Sequence, residues 1–340
     1  MRLRNATPMT AGYTLSMEPS GRELLVVVVK GTFRIPAEPG GRLRLAEEQV
    51  PLVTSDVFHG EPGRSAPRYE ADLAPRKSFC DLLLNGCAYA PAGQPAERVK
   101  VGLRVGEWSK TLAVVGDRVW RVDGGIRASA PLPFERMPIT YDCAFGGVTT
   151  REDDPAGAAA FANNPSGRGF FAGEATQALA GMPLPNTEEV GVEVARPDGT
   201  YRPMAFGALG RHWEPRRRYA GTYDQQWLDE DAPFLPADFD DRYYQSSPAD
   251  QQLPRLTGER AVSLLNLTPE GRCDFVLPAF EAVFYITPKR GAREALAAPI
   301  DTVLIEPDLQ RVMLTWRIAR PLKRSLLEIA EVQVGRAGRT

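Results

Sequence analysis

Between residues 98 and 122 the chain alternates strand-like runs with two-residue turns, a pattern that commits this part of it to antiparallel β structure. RVKVGLRV sets Val99, Val101, Leu103 and Val105 on one face. Gly106-Glu107 turns the chain, SKTLAVV follows, and Gly116-Asp117 turns it again into RVWRV. Alternation between short turns predicts a meander with one face on a core and one toward water. Lys100, Arg104 and Lys110 are then expected mostly on the wet face.

The same reading extends along the chain. Residues 24–35, LLVVVVKGTFRI, form a β-branched run bounded by Gly21 and Pro36. Its first half lacks alternation and should be buried on both faces. Gly40-Gly41 allow a turn toward Leu43 and Leu45, and 52–58 and 68–73 are weaker strands. Strands are also expected at 261–267, 272–277 and 280–287, with a hairpin of 302–306 and 311–318 across Pro307-Asp308, and a closing strand in 325–334. With 31 Gly and 30 Pro, turns and short strands are favoured over long helices. The expected fold is mainly β: antiparallel sheets, sandwich- or barrel-like, with long ordered loops and few short helices. Residues 1–130 form an N-terminal β lobe, 131–256 a loop-rich insert packed on it, and 257–340 the strands that complete the body. No internal repeat or flexible linker separates them, so one continuous domain fits as well.

Bulk chemistry narrows the function classes. A formal net charge of −2 over 340 residues provides no global field toward nucleic acid or anionic membrane. MRLRNATPMTAGYTL has no apolar h-region or cleavage site, so no signal peptide is expected. The longest apolar run, Leu24–Val29, is far too short to span a bilayer. Cys80, Cys87, Cys143 and Cys273 lack CxxC spacing and are expected as small buried hydrophobes. Only His59 and His212 are available for histidine chemistry, and no GxSxG elbow accompanies them.

Residues 131–200 read mostly as loop, including the low-complexity patch PAGAAAF and then NNPSGRGF. Gly167-Arg168-Gly169 lacks the spacing and the Lys-Ser/Thr of a phosphate cradle. No cofactor or metal is expected.

The most distinctive stretch is Met204 to Leu256, too polar for a core strand and too aromatic for a disordered linker. Long ordered loops are usually functional. Thr222 with Gln225 has capping-box spacing, opening a turn through Trp227. Ser247-Pro248 reads as an N-cap followed by Pro at the first helical position, and Pro233, Pro236 and Pro248 rule out a long helix. Six Arg face nine acids in the stretch. Asp229, Glu230, Asp231, Asp238, Asp240 and Asp241 lack calcium-loop spacing, so pairing with Arg216, Arg217, Arg218 and Arg242 is favoured over a cation site. Aromatics mixed with Arg have the composition of protein–protein hot spots. The candidate contact residues are Trp213, Arg217, Tyr219, Tyr223, Asp224, Trp227, Phe239 and Tyr243. The competing reading is a hydrolase using carboxylates such as Asp224 and Asp240.

Ordered blocks across nearly the whole chain carry a resemblance. They are VVVVKGTF (26–33), YEADLAPRKSFCDLLLNGCAYAP (69–91), VVGDRVW (114–120), PFERMPITYDCAFGG (133–147), NPSGRGF (164–170), LPNTE (184–188), FGALGRHWEPRRRYAGTYDQQW (206–227), LPADFDDRYYQSSPADQQ (235–252) and IDTVLIEPD (300–308). Together they resemble the type VI secretion adaptor family known as domain of unknown function 2169. The resemblance implies a cytoplasmic adaptor or chaperone, not an enzyme. Its expected partners are a secreted effector, often with a PAAR-like N-terminal region, and the VgrG spike trimer. It carries over no catalytic residues. One departure is Cys87, where the family pattern has His after Gly86; a scaffold role tolerates the change.

Overall fold

The computed structural model describes residues 1–149, 158–173, 177–256, 258–278 and 280–336. Part of the PAGAAAF patch, 155–157, lies outside them. Three sheets and a few two-stranded ribbons make up the β structure, and none closes into a barrel among the described residues. No helix among those residues is long and apolar enough to cross a membrane.

The main sheet runs in the order Thr10–Met17, Glu23–Arg34, Arg311–Pro321, Ile300–Glu306, Cys80–Leu84, Gln252–Leu253, with Arg44–Leu45 paired to the end of Glu23–Arg34. The second runs Thr187–Glu188, Trp108–Val115, Arg98–Val105, Arg260–Leu265, Arg272–Leu277, Gly41–Arg42. The third runs Arg2–Asn5, Ile329–Arg336, Ala282–Pro288, Glu294–Ala298. Most pairs are antiparallel, but each sheet also holds one parallel pair, such as Cys80–Leu84 beside Ile300–Glu306. The main sheet takes strands from before residue 131, from 131–256 and from beyond 257.

Glu23–Arg34 explains why this sheet is central. Leu25, Val27 and Val29 point into the large core shared with the other sheets, while Leu24, Val26 and Val28 fill a smaller cluster with Leu52 and Leu73. All six are essentially inaccessible, as the unalternated run requires. Beyond Val29 the second face turns polar, through Lys30 and Thr32.

The 98–122 stretch folds partly as its alternation predicts. Arg98–Val105 and Trp108–Val115 form the hairpin, and Val99, Val101, Leu103 and Val105 are buried. Two expectations fail. RVWRV does not continue the meander: Trp120–Val122 pairs with Ile126–Ala128, and Trp120 enters a separate small core with Phe145, Leu184 and Val194. Lys110 is not on the wet face. The register sets it opposite Leu103, on the core side, where its ammonium meets Gln251 Oε1 at 2.5 Å and Asp250 at 3.2 Å. Burial pushes that ammonium down to about 8, against the raising influence of Asp250.

The second small core is built on close backbone approaches. A Cβ at Gly146 (φ +154) would lie 2.0 Å from Asn164 O, so only glycine fits. In the Gly167-Arg168-Gly169 run, Arg168–Gly169 pairs in parallel with Phe145–Gly146. The weak strands at 52–58 and 68–73 shrink to Val57–Phe58 against Pro67–Tyr69. The C-terminal strands form where expected, the last being Ile329–Arg336. All four cysteines are free, and Cys80, Cys87 and Cys143 are buried.

Trp316 ties main-sheet packing together. It is wholly buried, stacks on Phe280 at 4.6 Å and donates its indole N–H to Phe280 O at 3.2 Å. Trp316→Ala should destabilise the fold by about 3–5 kcal/mol. Urea unfolding checks this; a loss below about 1 kcal/mol would show that the site collapses without a cavity.

Candidate interaction loop and its buried charge anchor

The stretch after Met204 begins as core and ends as core, with a surface excursion between. Met204, Ala205, Phe206 and Leu209 are buried, and Phe206 O accepts the amide of Leu84. Trp213 follows, wholly buried, with its ring edge-on to Tyr141 and its indole N–H donated to His212 Nε2 at 3.0 Å. At the far end, Gln245, Ser246, Ser247 and Gln251 are all buried.

What holds this end is Asp81. It stands in an otherwise apolar strand, CDLLL, and is inaccessible. Its Oδ1 accepts from Gln245 Nε2 (2.8 Å) and Ser247 Oγ (2.6 Å). Its Oδ2 accepts from the Ser246 amide (2.9 Å), Ser246 Oγ (3.0 Å) and Lys77 Nζ (2.6 Å). Burial alone would raise its pKa, but Lys77 and these donors hold it below the ordinary carboxylate value. Lys77 is raised in turn, Asp81 and Glu70 outweighing its own desolvation.

Glu70 extends the network to the loop's first half. Its Oε1 takes Arg216 Nη2 at 2.5 Å and Arg211 Nη2 at 3.1 Å, and its Oε2 lies 3.4 Å from Lys77. Burial works against its ionisation, yet Arg216, Lys77 and Arg211 bring it down to about 2. Arg216 also donates to Leu209 O and Tyr243 O, pinning both arms of the loop. Below this lies a cavity of about 90 Å³ on the polar face of the main sheet, lined in part by Lys30, Asp72, Thr302, Thr315 and Arg317. Two of its cations are paired: Lys30 meets Asp72 at 2.5 Å, and Arg317 meets Asp301.

The excursion between these anchors is braced by its own side chains. Gly221 (φ +83) turns the chain, and Asp238 accepts from the Thr222 amide and hydroxyl. Asp224, not Thr222, caps the helix Gln225–Glu230, accepting from the Trp227 amide at 2.9 Å. Likewise Ser247 does not cap Ala249–Gln251; its hydroxyl is spent on Asp81.

The eight candidate contact residues separate. Trp213 is in the core and offers no surface to a partner, because the Gly210–Trp213 turn folds its ring inward. Arg217, Tyr223 and Asp224 are exposed; Tyr219, Trp227, Phe239 and Tyr243 are half-buried. Tyr223 and Trp227 meet edge-on at 4.7 Å, and Trp227 donates its indole N–H to Phe234 O. Phe239 and Tyr243 cluster with Tyr244, and Arg242 lies 4.3 Å from the Tyr219 ring centre. Tyr223 is 55% exposed and Leu228 56%.

The ion pairs differ from the expectation in their partners. Within the loop Arg242 pairs with Asp240, but Asp241 reaches Arg76 and Arg216 reaches Glu70, both outside it. Asp224 and Asp240, the carboxylates of the hydrolase reading, are a helix cap and an Arg partner. No cluster of three or more His, Cys, Asp and Glu fit to hold a metal occurs among the described residues. The anchor residues Glu70, Lys77, Asp81 and Gln251 lie outside the candidate contact set, although an acid inside an apolar strand is a usable signal.

A family model described as "Uncharacterized protein conserved in bacteria (DUF2169)" matches residues 20–317. No curated protein and no solved structure matches the chain.

Removing the buried acid should release the loop. Asp81→Asn leaves Lys77 without its nearest counter-charge and should destabilise by about 3–5 kcal/mol, with earlier proteolysis inside 204–256. Unchanged stability would dismiss the anchor. Glu70 gives a second check: its folded value of about 2 lies below its ordinary 4.5. Its contribution, about 3 kcal/mol, is therefore present above pH ~4.5 and lost as pH falls toward 2. Acid titration of stability should show this loss in wild type and a flatter curve in Glu70→Gln.

Proposed function

We propose that this chain, which belongs to the DUF2169 family of conserved bacterial proteins, is a cytoplasmic adaptor that binds and stabilises a type VI secretion effector. The client carries a PAAR-like N-terminal region, and the adaptor assists its loading onto the VgrG spike. The observation that supports this reading is the braced excursion from Arg217 to Tyr243. It presents Tyr223, Leu228 and Phe234 to solvent beside half-buried Trp227 and exposed Arg217 and Arg218. Aromatic side chains have few rotatable bonds and lose little entropy on binding, and Arg adds charge-assisted hydrogen bonds, which is why such surfaces grip proteins. The buried charge anchor holds the excursion in place before a partner arrives. Carboxylates in the loop serve caps and ion pairs, which fits a scaffold.

Co-expression with a candidate effector encoded beside it, followed by size-exclusion chromatography with light scattering, should give a defined complex. The effector alone should be insoluble or degraded. Tyr223→Ala and Trp227→Ala should each weaken capture by about tenfold or more, with little change in thermal midpoint. Full-strength capture by both folded variants would remove this surface from the proposal. Two independently stable proteins would remove the adaptor role.

A further inference from the structure

We propose that Thr10–Met17, the outer strand of the main sheet, pairs with the same strand of a second copy of this chain. Among the described residues the three sheets have six edges. Four are short: Gln252–Leu253, Thr187–Glu188 and Gly41–Arg42 have two residues each, and Arg2–Asn5 has four, two of them Arg. Glu294–Ala298 has five and carries Glu294, paired with Arg320. Shortness and charge are the ordinary protections of a sheet edge. Thr10–Met17 has neither. Its eight residues, TAGYTLSM, include no charge and no Pro, and its pairing with Glu23–Arg34 is unbroken by a bulge. Among the described residues, no other segment forms a backbone–backbone hydrogen bond with it; Thr10 Oγ1 donates to Val50 O at 3.2 Å.

The strand is also complementary to itself. Tyr13 and Leu15 flank Thr14 and are 42% and 44% exposed. By register they lie opposite Val27 and Leu25, on the face of the large core. A two-fold axis perpendicular to the sheet keeps faces matched, so a residue opposes its own kind at the centre. Centred on Thr14, the antiparallel pairing sets Thr14 against Thr14, Tyr13 against Leu15 and Gly12 against Ser16. Each copy's exposed aromatic then covers the other's exposed leucine, and no charges oppose. The interface is isologous and closes at two copies.

Sedimentation of the full chain should give twice the chain mass, with the dimer dissociating on dilution. Tyr13→Lys combined with Leu15→Lys sets like charges opposite one another and should raise the dissociation constant at least about tenfold, without loss of β circular dichroism. As an independent check, Thr14→Cys should form a covalent dimer on oxidation, whereas Ser16→Cys, which faces Gly12, should not. A chain that stays monomeric at all concentrations overturns the proposal. So does a dimer indifferent to both lysines, or equal cross-linking at 14 and 16.

Discussion

A single buried carboxylate sets the conditions for the rest of the molecule. Asp81 sits in a strand whose other residues are apolar, and it must be satisfied from outside that strand. Lys77 supplies the charge, and Gln245, Ser246 and Ser247 supply the remaining donors. A carboxylate in such a place is costly unless its lone pairs are filled. The sheet edge is therefore complete only when the loop is docked, and the loop's course is fixed by what the edge demands.

The network beyond it joins elements that share no ladder. Gln251 donates to Leu82 O and Phe206 O and accepts from Lys110, so one amide links the main sheet, the loop and the second sheet. Glu70 holds Arg216, and Arg216 holds both arms of the loop. The aromatic excursion is thereby tied to the core at both of its ends.

Local pattern carried much of the β architecture. The apolar run at 24–29, the 98–115 hairpin and the C-terminal strands could be located because alternation and turn residues are short-range signals. Partners in space were less legible. Lys110 looked wet because hydropathy treats lysine as a surface residue, whereas register and a distant glutamine decided its place. Trp213 looked like a contact residue because composition does not say which aromatic turns inward. Thr222 and Ser247 have the spacing of caps, but their hydroxyls donate to Asp238 and Asp81, and the Trp227 amide goes to Asp224. Glu70, Lys77 and Asp81 lie close in sequence, but the groups that complete the anchor, Arg216, Gln245, Ser246 and Ser247, are more than a hundred residues away, beyond any short window.

The order of the main sheet also governs how the chain can fold. Val27 pairs with Ile318, and Leu82 with Val303. Leu24–Val29, the longest apolar run in the chain, can acquire its partner on one side only after residues 316–321 have been synthesised. Until then its best available neighbour is Thr10–Met17. On the ribosome the molecule must carry that hairpin unfinished through most of translation. Such high contact order slows folding and leaves sticky surface exposed. A chain of this topology depends on shelter for as long as its two halves are kept apart.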